Sequence, residues 1–266
     1  MTHEVYTHGH HEAVLRSHTW RTAENSAGYL LASLRPGLDL LDVGCGPGTI
    51  TVDLARRVAP GRVVGIDRAA EVLAQASARA SAQDVSIDLR VGDVYALPFP
   101  DASFDVVHAH QLLQHLSDPV RALAGMRRVL RPGGLLAARD SDYARFAWAP
   151  PDPLLTRWLE VYRAVARRNA GEPDAGRFLK GWALDAGFRD VQATSSNWTY
   201  ADPQSCEWWG SLWADRCELS SLGEQAVAYG LSTREELGAI AGAFRAWARQ
   251  PDAFFMVPHG EILAHA

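Results

Sequence analysis

Cysteine is scarce in this chain of 266 residues: Cys45, Cys206 and Cys217 form no C-x-x-C pair and leave an odd count. Disulfide stapling is therefore not expected, and a reducing cytoplasm is the natural setting. Long apolar runs are also missing, with none near the roughly 20 residues that cross a bilayer. The start, Met1-Thr2-His3-Glu4, lacks the basic-then-apolar pattern of an export signal. A soluble cytoplasmic protein without a membrane partner is expected. Excess positive charge is lacking too, the net charge being −5 at pH 7. Arginines that do cluster (Arg127, Arg128, Arg131; Arg163, Arg167, Arg168) are interleaved with apolar residues, as on solvated helix faces. Nothing here makes the basic stripe a nucleic-acid partner needs. Internal repeats and low-complexity linkers are absent as well. What the chain does have is 47% apolar residues, enough for the core of one large domain.

Apolar patterning alternates between the periods of strand and helix. Strands are expected at Asp39–Val43, Arg62–Asp67, Ser86–Gly92, Phe104–His108 and Gly134–Asp140. Helices are expected between and after them at Thr49–Val58, Ala69–Ala82, Ser117–Leu130 and Pro153–Arg168. That rhythm predicts an α/β fold with a doubly wound, mostly parallel sheet whose strand C-termini share one edge. Residues 1–35 read as an N-terminal helical cap and residues 36–200 as the core, with a further strand at Arg189–Tyr200. Residues 201–250 read as a helical lid inserted before a short final edge strand in 251–266.

The most informative segment is Leu40-Leu41-Asp42-Val43-Gly44-Cys45-Gly46-Pro47-Gly48-Thr49, an apolar strand running through three alternate glycines into a helix. Glycine there removes the Cβ that would block a nucleotide-like ligand and tolerates the φ of a tight turn. The third glycine comes one residue sooner than in the dinucleotide fingerprint. With Asp42 two residues before the first glycine, the spacing points to S-adenosylmethionine (SAM) rather than a pyrophosphate. Three more strand ends follow in order: Asp67; Gly92-Asp93-Val94; and Phe104–His108 running into His110 and Gln111. An acid at the second strand end suits a ribose diol, and one at the third suits an adenine edge.

This series resembles the class I SAM-dependent methyltransferases, in particular their quinone-pathway UbiE-like branch. The matching stretches are Leu41–Gly48, Gly65-Ile66-Asp67, Gly92-Asp93-Val94-Tyr95-Ala96-Leu97-Pro98-Phe99, Phe104-Asp105-Val106-Val107, His115-Leu116-Ser117-Asp118-Pro119 and Val129-Leu130-Arg131-Pro132-Gly133-Gly134. The resemblance covers residues 35–140 and implies a Rossmann-like fold with SAM as cofactor. It implies that Gly44, Cys45, Gly46 and Gly48 lie under the methionine moiety and ribose, with Asp42 holding the amino group directly or through water. Asp67 would bind the ribose hydroxyls, with Arg68 beside the adenine and Gly92, Asp93 and Val94 at its edge, and His110, Gln111 and His115 would line the junction with the acceptor.

Methyl transfer to oxygen usually calls for a general base, for which His110, His115 and His18 are the candidates. Tyr6 and Arg21, in a polar N-terminal segment, are candidates for the cofactor's carboxylate or the substrate. His3, His8, His10 and His11 lack the i, i+4 spacing of a helical zinc site, so no metal is expected. Trp209 and Trp213 share a helix face, and with Tyr143 and Phe146 they suggest an aromatic acceptor pocket. The expected acceptor is therefore a small, hydrophobic or aromatic molecule methylated at O, N or C, as in secondary metabolism, by a monomer or homodimer. A quinone-pathway C-methyltransferase and a non-catalytic SAM-binding protein are the alternatives within the fold. NAD-dependent oxidoreduction lacks a Tyr-x-x-x-Lys pair. Base methylation lacks both an Asn/Asp-Pro-Pro-aromatic segment after the fourth strand and a Pro-Cys nucleophile.

Overall fold

The computed structural model describes residues 20–266. Strand β1 (Leu40–Val43) is buried along its whole length, as a central parallel strand covered on both faces must be. It pairs in parallel with β2 (Val63–Asp67) on one side and β4 (Phe104–His110) on the other. The outer parallel partners are β3 (Asp88–Val91) and β5 (Leu130–Ser141). This is the order 3-2-1-4-5 of a doubly wound sheet, as expected.

The parallel strands are joined by helices with legible start signals. Helix α3 (Thr49–Val58) springs from the glycine turn, and α4 (Ala70–Ala82) follows Asp67. Helix α5 (Pro119–Val129) starts at Asp118, whose carboxylate accepts from Arg121 N–H, with Pro119 in the first helical position. The same Asp-Pro start opens α6 (Pro153–Arg168) and α8 (Pro203–Leu219). Helices α9 (Ser221–Ala228) and α10 (Arg234–Trp247) complete the inserted helical segment, close to the expected bounds.

Two expectations need correcting, and two short elements fall outside the expected pattern. The described part of the N-terminal segment holds two one-turn helices, α1 (Ala23–Ser26) and α2 (Gly28–Leu31), rather than a continuous helical run to residue 35. They are tied down by Ala23 N–H donating to Asp53 on α3. The final strand β8 (Phe254–His265) is one continuous element and lies inside the sheet. It pairs antiparallel with β5 and the short β6 (Ala147–Ala149) along one side and with β7 (Arg189–Tyr200) along the other. The edge strand is therefore β7, whose exposed polar residues suit that position. Helix α7 (Leu179–Asp185) and β6 had not been anticipated from the pattern, both being shorter than the window that reveals periodicity.

Two apolar clusters fill the two faces of the parallel strands, around Leu41, Val107 and Leu136 on one and Leu30, Leu40 and Val106 on the other. A third joins α6, α8, α9 and α10 to Tyr143, Phe146 and Phe255, so the inserted helices recruit α6 to make a core of their own. Trp158, Trp213 and Trp247 are its largest fully buried members.

Candidate functional site

The strand order reverses between β1 and β4, and a cavity of about 1000 Å³ opens at the C-terminal ends of these strands. Such a switch point is where doubly wound sheets leave a crevice. The glycine turn forms one wall. Gly44, Gly46 and Gly48 have φ of +72°, +55° and +75°, values that favour glycine. A Cβ on Gly46 would meet no atom within 4 Å, so its missing side chain leaves open space in the wall. Gly48 stands apart: it is not part of the wall, and a Cβ there would lie 2.8 Å from the Cβ of Ala76 on α4. Its role in this fold is to let two elements approach closely.

Asp67 lines the cavity with its carboxylate fixed, Oδ2 accepting from Gly46 N–H and Oδ1 from Ala69 N–H, each at 3.0 Å. Asp42 is buried, and both its oxygens have internal partners: Thr51 Oγ1 donates to Oδ2 at 2.6 Å, and His108 Nδ1 lies 2.8 Å from Oδ1. Asp42 and His108 face each other across β1 and β4 in register. Further along the rim, Asp93 caps a turn by accepting from Tyr95 N–H, and Arg68, Gly92 and Val94 stand beside it.

The other half of the cavity is walled by His110, Gln111, Ser141, Tyr143, Phe146, Trp198, Trp209, Trp213 and Arg216. His110 is 7% exposed, and neither ring nitrogen has a hydrogen-bond partner. Burial, reinforced by the charges of Arg21 and Arg139, holds its pKa well below the ordinary histidine range, so the ring is neutral. Gln111 follows in a left-handed backbone conformation, φ +49°, over-determined by its surroundings. Its side-chain amide donates to Ser141 Oγ at 2.7 Å and to His259 Nε2 at 3.0 Å, while its carbonyl accepts from Arg21. Donation by the amide makes Nε2 of His259 an acceptor, leaving that proton on Nδ1. Tyr143 stacks on Phe146 at 4.3 Å, and Trp209 stacks on Tyr200 at 4.4 Å. The indole N–H of Trp209 is buried without a partner.

Of the residues expected from the sequence, Arg21, Asp42, Gly44, Cys45, Gly46, Asp67, Arg68, Gly92, Asp93, Val94, His110, Gln111, His115, Tyr143, Trp209 and Trp213 line this one cavity. Tyr6 and His18 lie outside the described residues, as do the clustered histidines before them. His115 sits on a short turn of helix, its ring 3.1 Å from the amide of Gln114. Residues not anticipated are His108, Ser141, Trp198, Arg216 and, behind the wall, His259. His108 carried a signal, since it stands two residues before His110 and therefore on the same face of β4. His259 carried none, because only the antiparallel return of β8 brings it beside Gln111.

Residues 41–138 match the family model described as "Methyltransferase domain". The uncharacterized methyltransferase C1B3.06c of Schizosaccharomyces pombe is 32% identical over 97% of this chain and 95% of its own length. The 27-O-demethylrifamycin SV methyltransferase of Amycolatopsis mediterranei is 30% identical over 92% of this chain and 84% of its own. Among solved structures, the YcgJ protein of Bacillus subtilis superposes with a TM-score of 0.59 at 21% identity, covering 91% of this chain and 98% of that one, which speaks for the fold. With a glycine turn and carboxylates at the switch point, and relatives aligned along nearly its whole length, the chain belongs to the class I SAM-dependent methyltransferases.

Proposed function

We propose that this methyltransferase transfers the methyl group of SAM to a small, largely apolar aromatic acceptor. The observation that carries this reading is one continuous cavity whose wall changes character along its length: glycines and carboxylates at one end, aromatic rings at the other. Its volume, about 1000 Å³, is at the top of the range of roughly 300–1,000 Å³ for a single ligand. Two ligands side by side fit such a space.

The donor half suits SAM on two counts. Open space at Gly46 lets a ligand lie against the backbone, and Asp67 presents a carboxylate that keeps lone pairs beyond its two backbone donors. In this reading Gly44, Cys45 and Gly46 support the methionine moiety and Asp67 takes the ribose hydroxyls. Arg68, Gly92, Asp93 and Val94 flank the adenine. Asp42 meets the amino group only through the lone pairs that Thr51 and His108 leave, so it also serves to orient His108. Arg21 and Gln111 stand at the junction between the halves. Tyr6 stays a candidate for the same end.

When bound, SAM supplies a methyl group already activated by its sulfonium. The chain's part is to position the acceptor and exclude water. His110, neutral and enclosed, is a poor proton acceptor at pH 7 but a good hydrogen-bond donor to an acceptor oxygen. His115 and His18 are the other candidates for proton transfer. Tyr143, Trp209 and Trp213 form the acceptor's aromatic surroundings. Support for a small-molecule acceptor comes from the relative that methylates 27-O-demethylrifamycin SV, and a negatively charged chain is unsuited to nucleic acid. Among the described residues no helix is long and apolar enough to cross a membrane; a cytoplasmic location and a monomeric or homodimeric state are part of the proposal.

The test is incubation of the protein with methyl-labelled SAM and a panel of aromatic acceptors, followed by mass spectrometry. A labelled product heavier by one methylene is expected from at least one aromatic oxygen acceptor. Tight SAM binding with no mass gain across oxygen, nitrogen and carbon acceptors would overturn catalysis and favour a regulatory SAM-binding role.

A further inference from the structure

Solvent reaches the two ends of the cavity very unequally. Among the described residues that line it, the exposed ones are Arg68, Val91, Asp93, Ser117, Asp118 and Arg121. All belong to the rim of the donor half, where the hydroxyl of Tyr95 accepts from Asp118 N–H and its ring lies under Arg121. Arg21 and Gln111 are half-buried at the junction. Beyond them no residue lining the aromatic half is more than 8% exposed. The cavity is thus a pouch, open at the adenine rim and blind at the aromatic end. The blind end is walled by packed core and not by a loop. Tyr143 stacks on Phe146 and on Tyr162, at 4.3 and 4.0 Å, and Trp213 meets Trp158 edge-on at 4.4 Å. With Trp209 these rings belong to the cluster that holds α8, α9 and α10 against α6, so swinging those helices outward would break the cluster. The described start of the N-terminal segment is bolted across the same end. Trp20 packs on Trp198, Tyr200 and Trp208 at 5.2, 5.9 and 5.6 Å, and the indole N–H of Trp198 donates to the Asn25 carbonyl at 2.7 Å.

Resting on the donor and acceptor halves assigned above, we infer that SAM is the stopper of this pouch. The acceptor enters through the empty donor half, SAM binds after it, and the spent donor leaves before the methylated product can. A molecule lying from the glycine turn to Asp93 occupies that route whichever of its atoms the walls hold. The order follows from the wall: an entrance at the aromatic end would require core rings to part, whereas the donor half is already open. Enzymes that must shut water out of the reaction commonly do so by closing a loop or domain. Here the bound donor itself completes the enclosure, and the inserted helices are a fixed wall and not a moving cover. An acceptor must also be slim enough to pass between Gln111 and the glycine turn, so the passage selects for flat molecules before the aromatic end does.

The experiment uses calorimetry and stopped-flow fluorescence on the full chain, with 2-naphthol as the aromatic probe. S-adenosylhomocysteine (SAH) is titrated first; if it does not bind, the donor assignment fails, independently of the binding order. Naphthol is then mixed with the free chain and with the chain saturated with SAH, and the quenching of tryptophan emission is followed. Association is expected to be slower by about tenfold or more in the SAH-saturated chain. Naphthol bound first and then covered with SAH should, on dilution, leave no faster than SAH does. Trp20→Ala, which removes the three ring contacts of the N-terminal segment, should leave the slow association as it is. Equal association rates with and without SAH would overturn the proposal, because the acceptor would then have a second entrance. So would a free chain that takes up no naphthol, or fast entry into the SAH-saturated Trp20→Ala variant, which would make the N-terminal segment the gate. The wild-type rates decide the matter by themselves if that variant does not fold.

Discussion

At Asp67 a single carboxylate does two jobs. It accepts from Gly46 N–H, which fixes the glycine turn, and it faces the cavity where a ribose diol would lie. Removing it strips two hydrogen bonds from a bound ribose and frees a turn amide. Asp67→Ala should therefore weaken SAM binding by more than about tenfold, as calorimetry would read; unchanged affinity would remove Asp67 from the donor site. Arg139 poses a different question, of stability. Its guanidinium is 1% exposed and bonds Glu261 Oε1 at 3.1 Å and Ser196 Oγ, while burial pulls its pKa down to about 10. Breaking a buried pair strands one charge. Arg139→Met should cost about 3–5 kcal/mol in urea unfolding, whereas the double change Arg139→Met with Glu261→Leu should recover most of it. A double variant as unstable as the single one would show that packing, not the stranded carboxylate, dominates.

Among the elements, the glycine turn and α4 are coupled through one close approach. Gly48→Ala faces both a φ of +75° and a 2.8 Å contact with the Cβ of Ala76. It should lower stability by about 1–3 kcal/mol, measurable as a drop in unfolding midpoint; no loss would mean that the turn yields freely. The parallel half of the sheet and this turn were legible because each strand and each start signal is local. Asp118-Pro119, Asp152-Pro153 and Asp202-Pro203 mark helix starts within a few residues of where they occur. Loss of one cap, as in Asp152→Ala, should cost about 1 kcal/mol without changing SAM affinity. What could not be read is what the antiparallel return of β8 creates. Arg139 and Glu261 are separated by 122 residues, and Gln111 and His259 by 148. No period or motif links such pairs. Taking β8 for an edge strand hid them, since an edge strand has one neighbour and β8 has neighbours on both sides.

At the scale of the whole molecule, three of the buried titratable groups near one sheet end, Asp140, His110 and His259, have opposed preferences that give stability a response to pH. Asp140 is fully buried, its pKa raised to about 7 by desolvation despite bonds from the backbone N–H groups of Leu113 and Gln114. Unfolded, such a carboxyl titrates near 3.9. Between about pH 4 and 7 the folded state therefore holds a proton that the unfolded state has lost, and this group alone makes stability fall as pH rises. His110 and His259 act in the opposite sense. Burial keeps both neutral when folded, yet both would protonate below about pH 6.5 when unfolded, so stability falls as pH drops through that value. Near pH 5.5 the unfolded state binds two protons to the histidines where the native state binds one to Asp140. The three together make stability rise with pH, but by one proton rather than two. Asp140→Asn removes the opposing contribution. Denaturant titrations of both proteins from pH 4 to 8 should show the variant gaining on the wild type by up to about 1.4 kcal/mol per pH unit between pH 4 and 7, with a constant margin above. Parallel curves across that range would mean that Asp140 ionises normally in the native state, and that the sheet end tolerates a full negative charge beside Arg139.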